Sequence, residues 1–216
     1  LRSDISGSLR SLYKQMSQYT WKRFIEKNHV QDVDRDEIFH VLGQIAFDNL
    51  KAGQILIDQH VVEEYTRTTS LRRSLTASGF LLLQRQGMHY QFPHLTFQEY
   101  FAGRYLAIHL CNANGLDKDR IQTEEFISGN KYSPKYRVVF HFMVEEARSI
   151  EGIEILSRVM TVIDRPPREI IGFHHLQLRL AIMKAAVSMP PTPVELSKLP
   201  IVLGDTISQM SREVCA

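Results

Sequence analysis

The chain has 216 residues, of which 44% are apolar and 23% are charged, and its formal net charge is +2. A chain of this length buries roughly 70% of its unfolded surface, so its core needs no metal or disulfide. The balanced composition excludes a disordered or fibrous protein. The small net charge excludes a general attraction to nucleic acid or to an anionic membrane.

The two cysteines, Cys111 and Cys215, are too few for a disulfide framework, which indicates a reducing, cytoplasmic compartment. No apolar run reaches the length of a membrane span, and the first residues do not resemble a signal peptide. Because the chain begins at Leu1 rather than at Met, we expect it to be a piece of a longer protein.

Helical periodicity dominates the first fifty residues. In residues 9–28, apolar side chains recur at steps of three and four and predict a helix with one apolar face, formed by Leu9, Leu12, Tyr13, Met16, Tyr19, Thr20 and Phe24. A second helix is predicted to begin at Asp34, which forms a capping box with Glu37, and to end at Gly53.

The next segment mixes short helices with β-prone residues. A brief apolar run at 54–57 is followed by two short helices that Asp58 and Ser70 are predicted to cap. β-prone residues then flank Gln86 and Gly87 and predict a β-hairpin. The order helix, short strand, helix, helix and two-stranded hairpin is typical of a winged helix.

A strong helix start follows Pro93. Thr96 and Glu99 stand three residues apart, as in a capping box. The apolar residues between and after them, Phe97, Tyr100 and Phe101, are predicted to pack the helix against the core, and Gln98 to bond the hairpin backbone.

The last part of the chain is predicted to be a stack of antiparallel helices. Residues 111–130 indicate a loop with one short helix, and helices are then expected at about 133–149, 151–164 and 168–189, with another from Val194. Short proline-rich turns between helices are typical of HEAT-like repeats. The predicted fold class is therefore mainly α: a winged-helix domain with a small hairpin, followed by an α-helical, HEAT-like stack.

Motifs of autonomous catalysis are absent from the sequence. It contains no phosphate-binding loop, no dinucleotide fingerprint and no nucleophile elbow, and neither CxxC nor HExxH signals a metal site. We therefore expect no catalytic residue and no metal ligand in this chain.

One specific string points to a family. The stretch FPHLTFQEYFAGRYLA, residues 92–107, resembles a signature of NACHT-type STAND NTPases, which include the NOD-like receptors. Residues 36–53 (DEIFHVLGQIAFDNLKAG) are similar to the first helix of that family's winged-helix domain, and residues 78–82 (SGFLL) stand where the family has a similar segment before its hairpin. Leu12, Tyr13, Trp21 and Phe24 look like the last helix of its first helical domain. The resemblance covers residues 10–110, about half of the chain.

The resemblance implies a domain division and a nucleotide-sensing residue. Residues 1–30 would end the preceding helical domain, 31–112 would be the winged-helix domain, and 113–216 a helical-repeat-like domain. His94 would reach the phosphates of ADP held by the NTPase domain and lock the resting state. The alternative is that His94 only bonds the backbone at the corner between hairpin and helix.

The resemblance also implies where the chemistry lies. The family's nucleotide-binding lysine and carboxylates precede its winged helix, so this chain is expected to hydrolyse no ATP, whereas the full-length parent would bind ATP or ADP with Mg²⁺. The implied partners are the NTPase domain of the same chain, further copies in an oligomer, and an unidentified protein ligand. The implied role is a signalling or innate defence switch.

Two other functions compete with the switch. The first is a helical-repeat module for protein interaction, in which the winged helix is only an adaptor. The second is DNA binding through Arg67, Arg72 and Arg73, which the small net charge disfavours.

Two further sets of residues receive a structural interpretation. His89, His174 and His175 suggest a metal site. The side chains of His174 and His175, which are adjacent in a predicted helix, diverge by about 100° and cannot easily share an ion, so we expect these histidines to pack in the core or at an interface. Arg165, Arg168 and Arg179 are expected to form a solvated helix face.

Overall fold

The structure is a computed structural model that describes residues 8–28, 33–84, 88–111, 117–168 and 173–188, together with Gly204 and Ser208. In these ranges the chain is mainly helical, with one small antiparallel sheet. The helices are α1 (Leu9–Asn28), α2 (Arg35–Ala52), α3 (Gln59–Tyr65), α4 (Thr69–Ala77), α5 (Leu95–Cys111), α6 (Asp117–Asn130), α7 (Arg137–Glu151), α8 (Ile155–Ile163) and α9 (Phe173–Val187). The strands are β1 (Ile57–Asp58), β2 (Leu82–Leu83) and β3 (His89–Gln91).

The described residues form two compact units. The first is Leu9–Tyr105, and the second contains Ser8 and the described residues from Leu106 onward. The division between the units falls within α5. The domain boundaries predicted from the sequence lie between residues 30 and 31 and between residues 112 and 113.

The sheet of the first unit has β3 at its centre. Both neighbours run antiparallel to it, with Ile57 and Leu83 each opposite Tyr90, and the strand order is β1-β3-β2. β2 and β3 are the two strands of the predicted hairpin; Gln86 and Gly87, the predicted turn, lie outside the described residues. The central strand leads directly into Phe92 and then α5.

Capping explains where two of the helices begin and end. For α2, the predicted cap and end are confirmed: Asp34 Oδ1 accepts a hydrogen bond from the Asp36 amide at 2.8 Å, and Gly53 ends the helix at a φ of 72°. The predicted capping box is not formed, because Glu37 makes no hydrogen bond to Asp34 among the described residues. The prediction that Ser70 caps α4 is wrong. Thr68 Oγ1 accepts from the amide of Leu71 at 3.1 Å, so the helix begins at Thr69.

Helix α1 has the predicted bounds but not the predicted buried face. Its buried positions include Ser17 and Phe24, and the Tyr13 ring lies 5.0 Å from the Phe97 ring. Four members of the predicted apolar face are exposed instead: Leu9, Leu12, Met16 and Tyr19. Packing on α2 and α5 selects a neighbouring face of the helix, which periodicity alone cannot distinguish.

Four phenylalanine rings form the core of the first unit. Phe39 of α2, Phe80 before β2, and Phe101 of α5 lie 5.4–5.5 Å apart in edge-to-face pairs, and Phe92 lies 5.9 Å from Phe101. All four are buried. Each such pair contributes roughly 0.5–1.5 kcal/mol beyond its area burial, so this four-ring cluster joins α2, the sheet and α5.

Gly43 allows α2 and α5 to approach closely. A Cβ at this position would lie 3.0 Å from the Tyr105 Cβ and 3.2 Å from the Phe101 carbonyl oxygen. Glycine in a helix interior costs about 1 kcal/mol of stability relative to alanine. The close approach of α5 explains why a glycine is nevertheless present at position 43.

The described residues of the second unit form helices joined by turns, with no strand among them. Ser133 precedes a short 3₁₀ turn, Pro134–Tyr136, that leads into α7. Helix α6 has 14 residues, longer than the predicted short helix, and α8, with 9 residues, is shorter than predicted. Helix α9 lies within the predicted range 168–189, of which residues 169–172 and 189 are outside the described residues. The helix predicted from Val194 lies outside the described residues. Among the residues described, no helix is long and apolar enough to cross a bilayer.

We expect Phe101→Ala to lower the free energy of unfolding by about 3–5 kcal/mol, because it removes the ring that contacts the other three. Urea unfolding followed by circular dichroism measures the change. Leu83→Ala is the control, since Leu83 is 56% exposed and should change stability by less than about 0.5 kcal/mol. Equal losses in the two variants would contradict the role of the cluster.

Candidate functional site

His94 lies at the corner between the sheet and α5. β3 ends at Gln91, Phe92 is buried in the four-ring cluster, and α5 begins at Leu95. His94 itself is exposed. Its position before the first turn of a 17-residue helix places it at the positive end of the helix dipole.

The hydrogen bonds of His94 define its tautomer. Its Nδ1 accepts from the amide of Thr96 at 3.2 Å and lies 2.9 Å from Thr96 Oγ1. Because the amide can only donate, the proton of the neutral imidazole must be on Nε2. Nε2 is therefore a donor, and it has no partner among the described residues.

The predicted capping box at this corner is corrected by the structure. Thr96 is the second residue of α5, and the side chain that accepts from a first-turn amide is that of His94. Glu99 makes no hydrogen bond to that turn within the part of the chain that is described. The cap of α5 therefore lies two residues before the predicted one, because the imidazole of His94 replaces the Thr96 hydroxyl as the acceptor.

Glu99 and Gln98 are the other polar residues of this corner, and both are at least partly buried. Burial raises the pKa of Glu99, and the nearby His94 opposes that shift. Gln98 is 1% exposed, and its Nε2 donates to the carbonyl of Gln54 at 3.2 Å. Gln54 lies between α2 and β1, so Gln98 does not bond the hairpin as predicted. Phe97 and Tyr100 are buried.

The second unit contains a buried polar network that the sequence did not indicate. The Tyr132 hydroxyl lies 2.9 Å from His175 Nδ1, and His175 Nε2 lies 2.8 Å from Asp164 Oδ1. Arg179 Nη1 is 3.6 Å from the other oxygen of Asp164 and only 1% exposed, so the predicted solvated arginine face is wrong at this residue. The network links α9 to the end of α8 and to the turn before α7.

A buried lysine lies next to this network. Lys131 is 4% exposed, and its Nζ donates to the carbonyl oxygens of Ile163 and Arg165. Burial, together with repulsion from Arg168, lowers the pKa of Lys131, and Asp164 opposes the shift. Lys131 thereby binds carbonyl groups at and just after the end of α8, which is a structural role.

The histidines for which a metal site was considered, and packing preferred, lie in different parts of the fold. His89 Nε2 is 2.7 Å from Asp58 Oδ1 across β1 and β3 in the first unit, whereas His175 belongs to the network of the second unit. Within the described ranges, no group of three or more His, Cys, Asp or Glu side chains is placed to hold a metal ion.

The arginines proposed for DNA contact are only partly available. Arg72 Nη1 lies 3.0 Å from Glu63 Oε1 of α3, while Arg67 and Arg73 are exposed. An acidic partner for one of the three lowers the positive potential that a DNA phosphate would meet.

Compared with protein-family models and with curated proteins, the chain matches no family and no individual protein.

Cys111 is predicted to be chemically inert in the native chain. Its burial, together with the charge of Glu151, raises the pKa of the thiol to about 12, and only the thiolate is reactive. In a Cys215→Ser variant at about pH 8, we expect Cys111 to react with a thiol reagent roughly a thousandfold more slowly than the same chain unfolded in urea. Equal rates in the native and unfolded chains would contradict this environment.

Proposed function

We propose that this chain is the regulatory, non-catalytic part of a NACHT-type STAND NTPase. In this proposal a winged-helix domain senses whether ADP or ATP is bound by an NTPase domain of the same parent protein. The HEAT-like helical stack then relays the state of the nucleotide to oligomerisation or to partner binding. The proposal rests on the string at 92–107 and on the geometry around His94.

The arrangement of the first unit supports a winged helix. α2 is followed by β1, α3, α4, β2 and β3, and the strand order is β1-β3-β2. A winged helix has this order of elements, with its third strand between the other two. Helix α5 follows at once and carries the remainder of the family-like string.

The free Nε2 of His94 is the observation on which nucleotide sensing rests. Because Nδ1 is occupied by the helix cap, Nε2 presents an N–H even when the imidazole is neutral. A phosphate oxygen is a suitable acceptor, and the N-terminal end of α5 adds a favourable dipole. One hydrogen bond to a charged group contributes roughly 1.5–3 kcal/mol, enough to bias a two-state equilibrium about ten- to a hundredfold.

The same geometry defines how the switch would work. In the closed state, His94 would donate to the diphosphate held by the NTPase domain. When the nucleotide is exchanged, that contact would be lost, and the winged helix would be free to rotate with its helical stack. Differential contact in the two states is what such a switch requires.

The remaining chemistry would belong to the parent protein. Nucleotide affinity in P-loop NTPases comes mainly from backbone amides, a lysine and Mg²⁺, and the sequence of this chain has no such loop. ATP or ADP and Mg²⁺ would therefore bind outside it. A cytoplasmic location fits the use of cysteine.

The two competing functions are less well supported. A pure interaction module would have His94 buried and fully bonded, but the side chain is exposed. A DNA-binding module would have its helix arginines free, but Arg72 is paired with Glu63.

The decisive variants are His94→Leu and His94→Asn in the full-length parent. Asparagine preserves the cap, since its oxygen can accept from the Thr96 amide, but it is too short to present the distal N–H. We expect both variants to retain ADP roughly ten- to a hundredfold less tightly and to raise basal oligomerisation. Nucleotide content after purification and size-exclusion chromatography measure the two effects.

His60→Leu is the matched control, because the side chain of His60 is also exposed in the same unit. It should leave nucleotide content and oligomeric state unchanged. If His94→Asn behaves like the unaltered protein while His94→Leu only loses stability, then His94 is simply a helix cap, and the sensing role is excluded.

The 216-residue chain alone is expected to show no ATP hydrolysis above the buffer rate, because it has no P-loop. A malachite-green phosphate assay tests this. Turnover that co-purifies with the chain and changes with a substitution inside it would contradict the proposal.

A further inference from the structure

Three side chains of the second unit form a continuous hydrogen-bonded link between three segments. Tyr132 lies in the turn that follows α6, Asp164 directly follows α8, and His175 lies in the first turn of α9. The Tyr132 hydroxyl is 2.9 Å from His175 Nδ1, and His175 Nε2 is 2.8 Å from Asp164 Oδ1. Both ring nitrogens of His175 are therefore bonded, although its side chain is only 7% exposed.

The aspartate end of this three-residue link determines where one hydrogen of His175 must be. A carboxylate oxygen can only accept a hydrogen bond, so Nε2 carries a hydrogen in the neutral and in the protonated imidazole alike. The nitrogen that gains or loses a proton is therefore Nδ1, which faces Tyr132.

The hydroxyl of Tyr132 is suited to both charge states of His175. A phenol hydroxyl can donate one hydrogen bond and can also accept. It can donate to the bare Nδ1 of a neutral imidazole, and it can accept from the Nδ1–H of a protonated one. Only the direction of the bond changes, so protonation leaves no nitrogen of this buried ring without a partner.

The charged groups nearest to the link lie around Asp164. Arg179 Nη1 of α9 is 3.6 Å from Asp164 Oδ2, and Arg168 Nε donates to the backbone carbonyl of Asp164 at 2.7 Å. Lys131 binds the carbonyl oxygens on either side of Asp164, and its Nζ lies 5.3 Å from the centre of the Tyr132 ring. A proton on His175 therefore enters surroundings in which three of the four charged groups are cations.

The carboxylates of the neighbouring helices are engaged elsewhere. Glu124 of α6 pairs with Arg165 at 2.7 Å, and Glu145 of α7 accepts from Ser188 beyond the other end of α9. Within the described part of the chain, Asp164 is the one carboxylate in contact with His175. Hydrogen bonding, and not additional negative charge, must therefore accommodate protonation of this ring.

We propose that Tyr132 keeps α9 attached to the second unit when His175 is protonated. A buried histidine whose partner can bond only one charge state releases that partner when its charge changes, and pH-sensitive histidine switches use this effect. The hydroxyl of Tyr132 prevents such a release, because its bond to Nδ1 persists in either direction. The inference concerns the second unit and does not depend on nucleotide sensing.

Tyr132→Phe tests the proposal in the 216-residue chain, because it removes the hydroxyl and retains the ring. Neutral His175 would then have an unpaired acceptor, whereas protonated His175 would have an unpaired charged N–H, which is the larger loss. We measure hydrogen exchange of the α9 amides at about pH 8 and about pH 5, a range in which histidine changes charge. The ratio of the rates in the variant and in the unaltered chain cancels the intrinsic effect of pH.

We expect this ratio to exceed one at about pH 8 and to be at least roughly threefold larger at about pH 5. Tyr136→Phe is the matched control. Tyr136 is a buried tyrosine of the same connection, and its hydroxyl makes no hydrogen bond among the described residues. Its ratio should be the same at both pH values. His175→Phe should open α9 at both pH values without this dependence, because no titrating group remains at position 175.

Nuclear magnetic resonance of the ring nitrogens provides a second measurement on the unaltered chain. The signals of His175 are assigned by their absence from the His175→Phe spectrum. We expect a hydrogen on Nε2 at both pH values and a hydrogen on Nδ1 only at the lower one, while the α9 amides remain protected from exchange.

Four results would overturn the proposal. They are a ratio for Tyr132→Phe that does not change with pH, equal behaviour of Tyr132→Phe and Tyr136→Phe, and an Nδ1 that stays bare at about pH 5. The fourth is loss of α9 protection in the unaltered chain at that pH, which would make His175 a pH-sensitive switch. The outcome of the nucleotide experiments at His94 bears on none of these measurements.

Discussion

The contact between Phe92 and Phe101 determines the position of the candidate site. Phe92 ends the segment that leaves the central strand, Phe101 lies in the second turn of α5, and the two rings are 5.9 Å apart within the four-ring cluster. His94 stands between them in the chain. Because both sides of the corner are anchored in the core, the imidazole is held at the surface with little freedom of its backbone.

The two ring nitrogens of His94 have different roles. Nδ1 caps the helix, and Nε2 remains available as a hydrogen-bond donor. Nδ1 completes the first turn of α5 by accepting from Thr96, and that bond leaves the donor on Nε2 facing outward. The helix-cap and phosphate-contact interpretations of this residue are therefore compatible. They concern different atoms of one ring, which is why a variant that retains the cap and removes the distal N–H separates them.

The two units use polar residues in different ways. In the first, Arg23 and Lys27 are exposed in the last turns of α1, although Arg10 in its first turn is buried. In the second, Lys131 and Arg179 are almost fully buried and contact carbonyl oxygens or Asp164. Buried charge is tolerated only with such partners, so Lys131 and Arg179 help to specify how the helices of the second unit pack.

The sequence by itself determined where most of the described helices lie, the capping of α2 at Asp34 and Gly53, and the hairpin strands. These features depend on local periodicity and on short-range hydrogen bonds, which the order of residues encodes directly. Only the tertiary structure decided which face of α1 is buried, that His94 rather than Thr96 caps α5, and that Arg179 is internal. The buried face of α1 and the internal position of Arg179 depend on neighbours distant in the chain, such as Phe97 for Tyr13 and Asp164 for Arg179, and one-dimensional patterns do not specify such neighbours. The cap of α5 is a short-range bond between His94 and Thr96, and the sequence was misleading there because Thr96 and Glu99 have the spacing of a capping box.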